Sequence, residues 1–170
     1  MKTRAPYLDN VNYRLQVDLY AVYPPVQADV VMLGDSITFG AQWNELLHRQ
    51  TIVNRGIAGD YIEGFLHRLE HVYRLHPRLC FIMGGINDLY EDIPVDAVFG
   101  NYTQILQALH SHQITPIVQS TLYVAAAWPR YREKNREVFL LNGRLRDYAA
   151  VNDVTFVDLN RLLSDGEALR

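Results

Sequence analysis

A single cysteine in 170 residues rules out any disulfide within the chain. Cys80 lies inside the apolar run Leu79-Cys80-Phe81-Ile82-Met83 and reads as a small buried hydrophobe. No window is apolar for long enough to span a membrane. The opening residues, Met1-Lys2-Thr3-Arg4-Ala5-Pro6-Tyr7, lack the apolar core of a signal peptide. Basic residues are not in excess: 16 Lys and Arg against 19 Asp and Glu give a net charge of −3. With no basic stripe, nucleic acid is excluded as the main partner. No linker rich in Pro, Gly or Ser appears, and no charge block or repeat. The expectation is a soluble cytoplasmic protein, one domain over residues 1–170. What the chain does have is apolar residues, 49% against 21% charged, enough for a sizeable core.

The apolar residues fall in a regular alternation. Short continuous runs predict strands at about 29–34, 51–54, 79–83, 114–122 and 154–158. Such runs are buried on both faces, as in parallel sheets. Between them, helical periodicity predicts helices at about 10–22, 43–47, 61–75, 95–111 and 133–150. Asp9 is the expected N-cap of the first, and Pro24 and Pro25 its stop. Its stripe is Val11, Leu15, Leu19 and Val22, with Tyr13 and Tyr20 opposite. The helix therefore has a second side to place: packing against the domain is the plainer reading, and a homodimer contact the sharper one. The fold class is α/β: a three-layer α/β/α sandwich on a five-stranded parallel sheet, order 2-1-3-4-5.

Three polar clusters end three of these strands: Asp35-Ser36, Gly59-Asp60 and Asn87-Asp88. Open α/β sheets bind ligands at the carboxyl ends of their strands, so neighbouring strands would bring the clusters into one crevice. Each cluster alone is also ordinary turn chemistry. Together they suggest acyl transfer. Ser36 is the candidate nucleophile. The backbone N–H groups of Ser36 and Gly59 and the Asn87 side-chain amide are candidate donors to an oxyanion. Asp35, Tyr61 and Tyr123 are candidate substrate contacts, Tyr61 as a bulky residue that narrows the pocket for a short acyl group. Asp35, Asp60 and Asp88 also suit caps and loop braces.

The blocks Gly34-Asp35-Ser36-Ile37-Thr38, Asn54-Arg55-Gly56-Ile57-Ala58-Gly59-Asp60 and Gly85-Ile86-Asn87-Asp88 resemble the first three blocks of the SGNH (GDSL) hydrolase family, in order and at fitting separations. Val154 to Leu159 is similar to that family's last core strand. The resemblance runs from about Asp29 onward and looks closest to the platelet-activating-factor acetylhydrolase group. It implies a flavodoxin-like sheet and ester hydrolysis with the same three residues in the same roles. It implies no metal and no organic cofactor. The implied partner is a small-molecule ester, an acetylated sugar or a lipid-like molecule. The family carries its catalytic Asp and His as Asp-x-x-His a short way past the last core strand, followed by a helix over the sheet. Neither occurs in these 170 residues, and Asp158 has no histidine three residues on. The expectation is that these partners lie on a segment outside this sequence. The alternatives are a relic that binds without hydrolysing, as a carbohydrate-binding module on the same fold, and a base from a second subunit.

A competing pattern is His67-Arg68-Leu69-Glu70-His71, which matches the H-x-x-E-H of inverted zinc peptidases. Histidines four apart share a helix face and could hold zinc. The apolar stripe of this helix, Ile62, Phe65, Leu66, Leu69, Val72 and Tyr73, turns both toward solvent, and no third ligand is evident.

Overall fold

The computed structural model describes residues 5–24 and 26–170; Met1 to Arg4 and Pro25, the expected second helix stop, lie outside the described residues. Five strands form one parallel sheet in the order β2-β1-β3-β4-β5: β1 (Val30–Gly34), β2 (Ile52–Gly56), β3 (Leu79–Met83), β4 (Thr115–Gln119) and β5 (Thr155–Val157). The register pairs Gly34 with Gly56 and with Met83. The carboxyl ends of β1, β2 and β3 therefore finish level, which puts the three polar clusters side by side.

Side chains alternate across the sheet. Val31, Leu33, Cys80, Ile82 and Val118 point to one face. There they meet α4 (Ile62–His67), α7 (Val95–Ser111) and α8 (Tyr131–Val151) through Phe65, Tyr102, Ile105, Leu141 and Leu145. Val30, Met32 and Ile52 point to the other face, with Leu79, Phe81 and Trp43 of α3 (Trp43–Leu46) against them. This second layer is thin, and Leu79, Phe81 and Ile117 stay half-buried.

Two helical expectations need correction. The segment expected as one helix over 61–75 is two short ones, α4 and α5 (Glu70–Tyr73). The break falls at Arg68, whose φ of −120° leaves helical geometry. Its side chain turns inward to polar partners instead of continuing the outer face. The first helix, α1 (Val11–Val22), is capped by Asn10 rather than Asp9: the Asn10 side chain accepts from the Asn12 N–H at 2.9 Å. Its stripe is also inverted. Tyr13 and Tyr20 are buried, and Val11, Leu15, Leu19 and Val22 are exposed. The tyrosines win the inner side because their hydroxyls find carbonyls there. Tyr20 donates to Gly56 at 2.8 Å and Tyr13 to Gly64 at 3.3 Å.

Candidate active site

Ser36 opens α2 (Ser36–Phe39), directly after β1. The Asp35 carboxylate caps this turn, accepting from the Ile37 N–H at 3.0 Å. Gly34 and Gly56 are glycines for want of room. A Cβ on Gly34 would lie 2.0 Å from the Thr38 hydroxyl, and one on Gly56 would lie 2.3 Å from the Phe39 nitrogen. Asn54 closes the same turn from β2. Its amide donates to the carbonyls of Thr38, Phe39 and Ala41, at 2.9, 3.1 and 3.1 Å.

The second cluster follows β2. Gly59 sits at φ +73°, a left-handed position that glycine takes without strain. The turn is braced from outside by the Asn10 side chain, which donates to Ala58 O at 3.0 Å. The third cluster follows β3, where Gly85, at φ +106°, starts α6 (Ile86–Tyr90). Gly84 is fixed from below: its N–H donates to the Tyr102 hydroxyl at 3.0 Å, and Thr121 Oγ1 donates to its carbonyl at 2.6 Å. Asn87, in the first turn of α6, donates through Nδ2 to Asp60 O at 2.8 Å. That bond joins the second cluster to the third and leaves the other amide hydrogen of Asn87 uncommitted.

Beneath the clusters lies a charged layer that the sequence reading missed. Arg68 is 1% exposed. Its Nε donates to Asp60 Oδ2 at 2.7 Å, one terminal nitrogen to Arg55 O at 2.7 Å and the other to Gly34 O at 3.1 Å. One guanidinium thus ties the ends of β1 and β2 to the Gly59-Asp60 turn. The available signal was a charge at the edge of the apolar stripe of α4 and α5. Three buried carboxyls share this layer. Burial pushes Asp35 up to about 6, against the pull of the Ile37 N–H. Asp60 is also raised: its burial outweighs Arg68. Asp88 accepts the Ile62 N–H at 3.2 Å, but burial pushes it up to about 8, so it holds its proton at neutral pH.

Ser36, Gly59 and Asn87 therefore stand at three adjacent strand ends. Neither the Ser36 hydroxyl nor the N–H groups of Ser36 and Gly59 have a partner among the described residues. Asp35 is 1% exposed and its carboxylate serves the cap, the brace role also expected of it. Tyr61 is half-buried at the start of α4. Tyr123 lines a groove of about 290 Å³ with Phe139, Asp158 and Asn160, whose lining includes no residue of the three clusters.

The histidines go elsewhere. His67 stacks on Tyr7 at 5.3 Å. His71, expected to face solvent, turns its ring toward Tyr20 at 5.9 Å, and its Nδ1 is buried without a partner. His112 stacks on Tyr73, and His110 lines a groove at the amino ends of β4 and β5. None hydrogen-bonds Ser36. Among the described residues the one trio of close metal-type ligands is Asp92, Glu133 and Glu137, which Arg130 and Lys134 already neutralise through ion pairs of 2.7–3.0 Å.

Residues 32–170 match the sequence pattern of the GDSL-like Lipase/Acylhydrolase family. The chain belongs to this family. Its structure is similar to that of a GDSL-like lipase from Bacteroides thetaiotaomicron VPI-5482 (TM-score 0.80, 28% identity, 94% of this chain and 84% of that one). It is equally similar to a putative acylhydrolase from Bacteroides fragilis NCTC 9343 (TM-score 0.79, 28% identity, 94% of this chain and 83% of that one). Among curated proteins it resembles an N-acylneuraminate cytidylyltransferase of Streptococcus agalactiae, 23% identical over 140 residues, 81% of this chain. The chain spans about a third of that relative's length, 31%. The sheet order of this chain agrees with the order expected from the sequence, and no described helix is long and apolar enough to cross a membrane.

Proposed function

We propose that this protein is a serine esterase of short acyl esters, acetyl esters foremost, acting on a small molecule such as an acetylated sugar or a lipid-like ester. One observation carries the reading. Two uncommitted backbone N–H groups and one uncommitted amide hydrogen lie at three level strand ends around an unengaged serine. Ser36 Oγ attacks the acyl carbon, and the carbonyl oxygen gathers negative charge. Ser36 N–H, Gly59 N–H and Asn87 Nδ2 donate to it. Removing one such donor typically costs ~3 kcal/mol in the transition state. The tetrahedral intermediate expels the alcohol, and water releases the acid from the acyl-serine. Tyr61 beside the Gly59 turn favours a short acyl group. None of the six histidines hydrogen-bonds Ser36 among the described residues, and the resemblance to the GDSL family implies that the base is the histidine of an Asp-x-x-His pair.

The test is hydrolysis of p-nitrophenyl acetate by this chain and by the full product of its gene, each with its Ser36→Ala control. Turnover that depends on Ser36 supports the reading. Turnover no higher than the Ser36→Ala background in both refutes it. The unpartnered Ser36 hydroxyl favours a second reading, a carbohydrate-binding site on the same fold. A serine-directed phosphonate separates the two, since a binding module leaves Ser36 unlabelled.

A further inference from the structure

The inverted stripe of α1 needs a cover. Val11, Leu15, Leu19 and Val22 are 58%, 60%, 44% and 74% exposed, and Tyr23 just beyond is 44% exposed. They repeat at intervals of four, four and three and so form one straight ridge. The helix cannot roll to bury them. Its inner side is fixed by the hydroxyl bonds of Tyr13 and Tyr20, and by the Arg55 guanidinium lying 4.5 Å over the Tyr20 ring.

We propose that this ridge is a homodimer contact in which two copies of α1 pack antiparallel about a two-fold axis near Gln16. The charges beside the ridge point to a second copy. Arg14 and Asp18 are exposed, stand one turn apart on the same flank, and make no ion pair among the described residues. A two-fold axis across the helices keeps that flank on the same side in both copies and reverses its order. Arg14 of one copy then faces Asp18 of the other, twice. The same operation lays the Leu15 and Leu19 pairs across each other and brings Val11 near the other copy's Val22. A parallel arrangement would set like charges level. A lipid surface is the poorer fit: interfacial helices carry excess Lys and Arg beside their apolar side, whereas these flanking charges cancel. The ridge alone exposes on the order of 400 Å², about half of the ~800 Å² per partner in a standard interface, so the dimer is a moderate one that forms at micromolar concentrations. It would also steady the helix start from which Asn10 braces the Ala58-Gly59 turn.

The proposal is independent of the esterase reading, because its readout is mass. Sedimentation velocity and light scattering on the 170-residue protein from 2 to 200 µM should show 19.6 kDa particles giving way to particles of twice that mass. Leu15→Glu, at an exposed position, should leave the melting temperature unchanged and hold the protein monomeric. Arg14→Asp and Asp18→Arg should each weaken the dimer roughly tenfold, and the double reversal should restore it. A monomer at every concentration overturns the proposal. So does a dimer indifferent to Leu15→Glu, which places the interface elsewhere. Flotation of the natural protein, but not Leu15→Glu, with vesicles overturns it in favour of a lipid surface.

Discussion

Replacing Arg68 with methionine tests the charged layer beneath the site most directly. Methionine keeps much of the stem volume and removes the guanidinium. Three acceptors then each lose the Arg68 donor at once: Arg55 O, the Asp60 carboxylate, which keeps the Tyr61 N–H, and Gly34 O, which keeps the Ile57 N–H. Asp60 is 0% exposed, so water cannot replace the lost charge without opening the fold. Removing one partner of a buried ion pair costs about 3–5 kcal/mol. For a chain of this size each kcal/mol moves the melting temperature by roughly 2–4 °C, so the variant should melt about 10 °C lower. The pH dependence gives a sharper check. Burial already raises Asp60 above its unfolded value, and loss of Arg68 raises it further. A carboxyl raised in the folded state favours folding while protonated, and that advantage is lost as pH rises from about 4 through the folded value. The gap between the natural protein and Arg68→Met should therefore widen from pH 5 to pH 8. Adding Asp60→Asn should narrow it, since no buried charge then lacks a partner. Urea unfolding at three pH values measures all of this. A loss under about 1 kcal/mol, or a gap flat across pH, would show that Arg68 does not carry the load described.

Asp88 should itself impose a pH slope. Raised to about 8, it is protonated in the folded protein and ionised in the unfolded chain between pH 4 and 8, so it contributes falling stability as pH rises through that window. Asp88→Asn should flatten that part of the urea-midpoint profile; an unchanged slope would mean another group is responsible. Gly56→Ala should cost about 3 kcal/mol or more, because its methyl would press on the Phe39 backbone at 2.3 Å. Gly100→Ala, inside α7 with nothing within 4 Å, should instead gain up to ~1 kcal/mol, and paired thermal melts compare the two. In the active protein, Asn87→Ala should lower kcat about 10²–10³-fold with little change in KM, as expected of a donor used when charge develops. An equal rise in KM alone would make Asn87 a ground-state binding residue.

The sheet was legible because its strands are apolar on both faces, and β3 and α7 begin and end where the periodicity places them. The polar turns after β1, β2 and β3 were legible too, since Gly, Asp, Ser and Asn at strand ends stand out against those runs. The short helices α2 and α6, and α9 (Asn160–Leu163), were not, because four or five residues hold too little of a period. The inversion of α1 has a different cause. Periodicity finds a stripe but not the side it faces, and here two hydroxyls with carbonyl partners outrank four aliphatic side chains. Arg68 escaped for a related reason: a single arginine near a stripe looks like an outer residue until the carbonyls it reaches are known.

The ammonium of Lys134 is fully buried at the seam between α6 and α8, where it donates to Leu89 O at 2.5 Å, Asp92 at 2.7 Å and Glu137 at 3.0 Å. Its three protons are all engaged, so no lone pair is free to attack an electrophile while the seam is shut. The chain has one other lysine, Lys2. Acylation of Lys134 by an amine-reactive reagent, followed by mass spectrometry, therefore clocks how often α6 parts from α8. Because α6 carries Asn87, the same clock times how often the helix holding that amide shifts, without any substrate.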